Sequence, residues 1–219
     1  MSSVKALPGT SRPRRAPSPD ERLVDADRSK VALLDAALEE FSAKGFAGAR
    51  VREIAERAGV SKDLIAYHFG GKEGLYLAVQ RAWLDQAGGS ADAEASIADT
   101  LDRHLRGALD DPRPMRLLVW RGLAAHGAAP PDASADADHP GVGTLRRRQN
   151  NGELDADLDP ATLQLVLLGA VAAPIVFPAE VRRLFGVEAT KADFVARYRA
   201  GLLQLVDLLR PRAARECPP

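Results

Sequence analysis

Apolar residues in this chain recur mostly at three- and four-residue spacing, and no stretch alternates with the two-residue period of a half-buried strand. The pattern predicts an all-α protein. From about Asp27 to Lys44 the stripe Val31, Leu34, Leu38 and Phe41 marks a first helix, stopped by Gly45, with Phe46 folding back onto the core. Val51, Ile54, Ala55 and Ala58 then form the inner face of a short second helix. Gly59 falls where that helix must stop, since glycine enters the left-handed region without steric cost. Val60 plugs the corner, and Ser61 is placed to cap a third helix whose inner side is Leu64, Ile65 and His68 or Phe69. Two short helices around Gly59-Val60-Ser61 are the sequence form of a helix-turn-helix, whose second helix lies in the DNA major groove. Gly70-Gly71-Lys72-Glu73 opens a fourth helix, with Leu75, Val79 and Ala82-Trp83 inward.

Longer helices follow. Ile97, Leu101, Leu105 and Leu109 mark one over about 92–110, and Pro112 and Pro114 separate it from another over 115–126 that is apolar nearly all round. Residues 127–141 read as a mobile loop, and a basic helix containing Arg146, Arg147 and Arg148 ends at Asn150-Asn151-Gly152. Asp159 is a natural cap with Pro160 at the first helical position. The helix from Thr162 to Phe177 is apolar on more than one face, with Pro174 expected to kink or end it. A last helix, about Lys191 to Leu209, carries the stripe Phe194, Tyr198, Leu202, Leu205 and Leu209. The division expected is a disordered arm over 1–27, a helix-turn-helix domain over 28–75, a second helical domain over 76–211 and a tail over 212–219.

Composition narrows the function. Lys+Arg and Asp+Glu both total 30, so the net charge is zero, which argues against a non-specific polyanion binder. A reader of one specific site needs only a local basic face. The arm holds Lys5, Arg12, Arg14 and Arg15 with no acid before Asp20; it is expected to be a solvated tail, although such arms can enter a minor groove. The single cysteine, Cys217, excludes an intrachain disulfide and a cysteine-based zinc site, and suits a reducing, cytoplasmic setting. No leader is expected at the N-terminus. The longest apolar run, Leu165 to Phe177, is 13 residues, short of the roughly 20 that span a bilayer, so no membrane role is expected. The four histidines, His68, His104, His126 and His139, have no metal-ligand spacing, and no nucleophile motif appears. Neither catalysis nor a metal or cofactor is expected. A scaffold that uses the two short helices only for protein contact remains the other reading.

The run VREIAERAGVSKDLIAYHFGGKEGLYLAV, within residues 30–80, resembles the TetR family of bacterial transcriptional regulators. The likeness continues more loosely through NGELDADLDP (151–160) and the closing helix. It implies a three-helix DNA domain, a linking fourth helix, and a C-terminal domain that binds a small molecule and dimerises through its last two long helices. The partners expected are therefore a double-stranded operator, a small apolar ligand and a second copy, as in a ligand-released repressor. A ligand-independent regulator or an activator of the same fold is the alternative.

Carried over by position, the resemblance puts Lys62, Asp63, Tyr67 and His68 on the recognition helix behind Ser61. Arg50 and Arg52 fall at the start of the helix before it, and Lys72 at the start of the fourth. Lys72 and free helix N–H groups can hold a phosphate. Lys62 can read guanine and Asp63 can accept from cytosine, while Asp63 can equally serve only to stabilise its helix N-terminus. His68 is either a DNA contact or a half-buried packing residue. Ala66 stands where the family usually has tyrosine, and Arg50-Val51 replaces the usual threonine or serine, so one customary contact and one cap are missing. In the second domain Trp83, His104, Met115, Trp120, Arg121 and His126 are candidates for a largely apolar pocket.

Overall fold

The computed structural model describes residues 19–89, 95–124 and 139–211, and every regular element among them is a helix. The bulk of the expected arm (1–18), most of the expected loop (127–138), His126 and the tail with Cys217 lie outside the described residues. In chain order the helices are α1 (Pro19–Gly48), α2 (Val51–Ala58), α3 (Asp63–Phe69), α4 (Lys72–Gly89) and α5 (Ile97–Asp110). They continue with α6 (Arg113–Ala124), α7 (Pro140–Asn150), α8 (Pro160–Val176), α9 (Pro178–Phe185) and α10 (Ala192–Asp207).

The first helix starts earlier than its apolar stripe suggests, so the expectation of an unstructured arm through residue 27 is corrected. Pro19 takes the first helical position, where its missing N–H leaves no bond unmade. The stripe is corrected at Val31, while Leu34 and Leu38 pack partly buried on the core and Phe41 is buried as expected. Leu33, Ala36, Ala37 and Phe41 are fully buried, while Val31 is 67% exposed. Both registers are helical in period; α2, α4 and α6 pack against the one centred on Leu33 and Ala37. At Gly45 the helix breaks, with φ +67° and ψ 175°, a conformation that only glycine adopts freely.

Two cores result. The first joins Leu33, Ala37 and Phe41 of α1 to Ile54 and Ala55 of α2, Ile65 of α3, Leu75 and Val79 of α4, and Leu117 of α6. The second joins Ile97, Leu101 and Leu105 of α5 to Met115, Leu145, Leu154, Leu163, Val171, Leu202 and Val206. Because α6 supplies Leu117 to one and Met115 to the other, it belongs to both.

Polar ties fix the second core. Asp159 caps α8 as its sequence predicts, accepting from the Thr162 N–H at 2.7 Å. Arg148 is turned inward: it reaches Glu153 at 2.5 Å, the Ala95 carbonyl at 2.7 Å and Thr100 Oγ1 at 3.0 Å. Glu153 in turn accepts from the Ile97 N–H, closing the N-terminus of α5. The Tyr198 hydroxyl of α10 donates to the Ala170 carbonyl of α8 at 2.7 Å.

Pro174 sits inside α8 without ending it; the chain turns by 86° only between α8 and α9, at Phe177-Pro178. The stripe expected on the last helix holds at Phe194 and Leu202 but not at Leu205, which is 59% exposed while Val206 is buried. No single helix among the described residues is long and apolar enough to cross a membrane.

Candidate nucleic-acid interface

The interface is built from three glycine-closed helix ends. At the start of α2, Arg50 is extended (φ −118°) and makes no side-chain cap. The missing cap is supplied from α1 by Glu40, 1% exposed, whose Oε1 accepts from the Arg50 N–H at 3.4 Å and from Lys44 Nζ at 2.8 Å. Lys44 also pairs with Glu53 of α2. The two carboxylates raise the Lys44 ammonium above the ordinary lysine range, Glu40 more than Glu53. Lys44 in return pulls the Glu53 carboxyl below its usual range. Sequence reasoning missed Glu40, since an acid followed by Phe41 reads as solvent-facing until its two partners are known.

Gly59 closes α2 in the left-handed region (φ +69°). Its N–H reaches the Glu56 carbonyl at 3.2 Å, and the Val60 N–H reaches the Ala55 carbonyl at 3.1 Å. These two bonds satisfy carbonyls that a helix end otherwise leaves open. Val60 packs on the first core, as expected of the corner residue. Ser61 Oγ accepts from the Asp63 N–H at 3.2 Å, capping α3.

Ile65 anchors α3 in the core, with Leu64 and Phe69 packed beside it. The remaining surface of α3 is open. Lys62, Asp63 and Ala66 are exposed, Tyr67 is 80% exposed, and His68 is half-buried with its ring edge-on to Tyr67 at 4.9 Å. Gly70 (φ +72°) ends the helix by donating to the Ala66 carbonyl. Immediately after it, α4 approaches so closely that a Cβ on Gly74 would stand 1.7 Å from the Phe69 carbonyl oxygen. A glycine early in a helix was the available signal, and it was overlooked.

The three flanking cations are placed differently. Arg50 and Arg52 are exposed on α2 and pair with acids of their own helix, Arg50 with Glu53 at 3.7 Å and Arg52 with Glu56 at 2.7 Å. The hydrogen bond from Glu56 raises the Arg52 guanidinium above its ordinary range. Lys72 is half-buried at the start of α4, its ammonium 4.7 Å above the Phe46 ring. Of the expected pocket residues, Trp83 and Arg121 line one cavity with Gln80, Pro114, Leu117 and Leu118, between α4 and α6. Its volume is about 10 Å³, room for roughly one water. Met115 is in the second core, His104 is exposed with Nδ1 2.7 Å from the Thr100 carbonyl, and Trp120 packs on α1. No group of acids, histidines or cysteines among the described residues could hold a metal ion.

Comparison with known proteins agrees with this geometry. Residues 33–79 match the model for bacterial regulatory proteins of the tetR family, and 78–206 match the tetracyclin repressor-like C-terminal domain. The chain is 31% identical over 163 residues to the HTH-type transcriptional repressor SCO4008 of Streptomyces coelicolor, covering 73% of this chain and 84% of that one. It is 55% identical over 56 residues, 26% of each chain, to the HTH-type transcriptional regulator RutR of Escherichia coli. A solved structure described as a transcriptional regulator, SCO4942 of Streptomyces coelicolor, superposes with a TM-score of 0.65 at 26% identity, over 84% of this chain and 99% of that one. With its helix-turn-helix matched by one model and its second domain by the other, the chain belongs to the TetR family of DNA-binding transcriptional regulators.

Proposed function

We propose that this regulator is a cytoplasmic, ligand-released repressor that binds its operator as a homodimer. The observation that carries the DNA-facing part is the open surface of α3: a helix held by Ile65 leaves Lys62, Asp63 and an almost wholly exposed Tyr67 turned outward. On this reading Lys62, Asp63, Tyr67 and His68 meet base edges and nearby phosphates, with Ser61 shaping the helix start. Arg50, Arg52 and Lys72 meet the flanking backbone. Residues 28–75 act as the reading domain and 76–211 as the sensing and pairing domain.

Pairing is supported by α8 and α10. Leu165 and Val166 of α8, Phe177 just after it, Leu205 of α10 and Leu208 just after that helix are exposed. Gly169 and Gly201 also face open space. Glycine within a helix costs about 1 kcal/mol relative to alanine, so two of them on an apolar face suit helices that approach closely. A shallow groove of about 470 Å³ runs along α10 past Phe185, Tyr198 and Leu205, and accommodates a partner helix. A named relative is a repressor, which supports repression over activation.

For the ligand, the cavity between α4 and α6 holds only about 10 Å³, so an apolar molecule seated against Trp83 and Arg121 must part the two helices. Release then requires that the ligand prefer the parted state, each tenfold preference being worth about 1.4 kcal/mol. The test is a titration of an operator, recovered by selection from genomic fragments, at several salt concentrations. Specific binding by a dimer, reversed by an apolar effector, is expected. Equal effector affinity for free and operator-bound protein would remove the switch and leave a ligand-independent regulator.

A further inference from the structure

We infer that Trp120 is a positioning residue for operator binding: it locks the break in α1 from which the DNA-facing helix starts are hung. The inference rests on the family's DNA binding and does not require a ligand. Its basis is the side of α6 that lies along α1. Arg113, Leu117 and Trp120 are four and three residues apart and so share one helix face. Arg113 reaches Asp35 at 3.0 Å and Glu39 at 3.6 Å on α1, and also Asp111 at 2.9 Å. The Asp111 hydrogen bond is the main reason the Arg113 guanidinium is held well above its ordinary range, and the Asp111 carboxyl is lowered in return. Leu117 enters the first core.

Trp120 completes that face at the break. Its indole N–H donates to the Ser42 carbonyl at 3.1 Å. In an unbroken helix that carbonyl would accept from the residue four positions on, and the excursion at Gly45 interrupts the ladder there. The indole ring lies flat enough on the glycine that an added Cβ would stand 3.0 Å from Cε3. A left-handed backbone, a carbonyl at an interrupted ladder and an aromatic lid therefore occupy the same place.

What hangs from that place is the interface. Phe46, the next residue, stacks with Phe41, meets Tyr76 edge-on, and carries the Lys72 ammonium 4.7 Å above its ring. Glu40 and Lys44, in the turn before the break, hold the Arg50 N–H and Glu53 at the start of α2. A shift of α6 thus reaches both Arg50 and Lys72 through Gly45, a route separate from the length of α4. Met115 on α6 belongs to the second core, so motion there is delivered to Trp120 by a single rigid helix. At 39% exposure the indole can leave its seat without opening either core.

Two variants and two measurements test this. Trp120→Ala removes lid and donor; Trp120→Phe keeps a ring on Gly45 and removes only the donor. Each is titrated against an operator duplex selected with the unaltered protein and against an unrelated duplex of equal length. Amide hydrogen exchange is followed over residues 45–52 and 70–76. The expected result is at least a tenfold loss of operator affinity in Trp120→Ala and a three- to tenfold loss in Trp120→Phe. Affinity for the unrelated duplex should fall by a similar factor, because the displaced Arg50 and Lys72 meet phosphates rather than bases, and faster exchange should be confined to the two segments. If Trp120→Ala does not fold, Trp120→Phe alone decides by the same criteria. Operator affinity within twofold of the unaltered protein, or faster exchange spread evenly over both cores, would show an ordinary packing residue and overturn the inference.

Discussion

Tyr67 on α3 and Leu205 on α10 are both exposed, at 80% and 59%, yet their surroundings differ in kind. Around Tyr67 stand Lys62, Asp63 and His68, groups with hydrogen-bonding tips on a helix closed at both ends by glycine and serine. Around Leu205 stand Gly201, Tyr198, Phe185 and Leu208, with small residues where backbones could meet. A polar open face is already solvated and waits for a partner that offers matching donors and acceptors. An apolar open face loses free energy to water until another apolar face covers it. On the proposed reading the first face meets nucleic acid and the second a copy of itself.

The contrast is broken most severely by placing a charge on the apolar face. Leu205→Asp should raise the dimer dissociation constant roughly a thousandfold, about 4 kcal/mol for an unpaired buried carboxylate. Light scattering should find a folded monomer with little hold on a two-half-site operator. An unchanged dimer would place pairing elsewhere. The polar face is broken by Gly74→Ala, whose Cβ collides with the Phe69 carbonyl. A loss of about 3 kcal/mol in the DNA domain is expected, seen in thermal melting, with the dimer intact by sedimentation. Gly59→Val is a smaller insult of the same kind, about 2 kcal/mol, because a branched side chain must take φ +69°.

Sharper still is Lys72→Ala. Binding to every duplex should weaken alike, and the slope of log affinity against log salt should fall by about one. A changed sequence preference at constant slope would make Lys72 a base reader. The smallest effect is expected at Asp159→Ala, a slightly lower melting temperature from a lost cap, with operator affinity unmoved. The Asp159 carboxyl is lowered below its ordinary range, chiefly by the Thr162 hydroxyl. That contribution is therefore present above the unfolded-state pKa and lost as pH falls through the folded one, and the variant's melting temperature should approach the unaltered protein's only in acid.

The two faces were not equally legible from sequence. The turn at Gly59-Val60-Ser61 was, because each residue acts on backbone groups within a few positions of itself. So was the cap at Asp159. The face of α1 was legible only in part: the expected 31-34-38-41 stripe shares Phe41 with the buried 33-37-41 register, and the choice between them at the other positions depends on which helices later pack there. The same ambiguity set Leu205 on one stripe with Phe194 and Leu202 and left the buried Val206 uncounted. α9 was missed because a proline and three charged residues hide its single buried anchor, Val181. Trp120 read as a pocket aromatic, since its seat is a glycine 75 positions earlier in the chain.

Arg50 and Arg52 each carry an acid on their own helix, Glu53 and Glu56. This bears on how the protein searches a genome. A phosphate that engages either arginine must compete with a carboxylate already there, and an exposed pair of this kind is worth up to about 1 kcal/mol. On the proposed reading, each such pair therefore weakens the hold on an arbitrary stretch of DNA. At the correct operator the α3 side chains, as proposed, would add contacts that arbitrary sequence lacks, and total affinity would depend less on these arginines. If Arg50 and Arg52 meet the DNA backbone as proposed, the self-pairing of these cations, together with zero net charge, favours early departure from wrong sites.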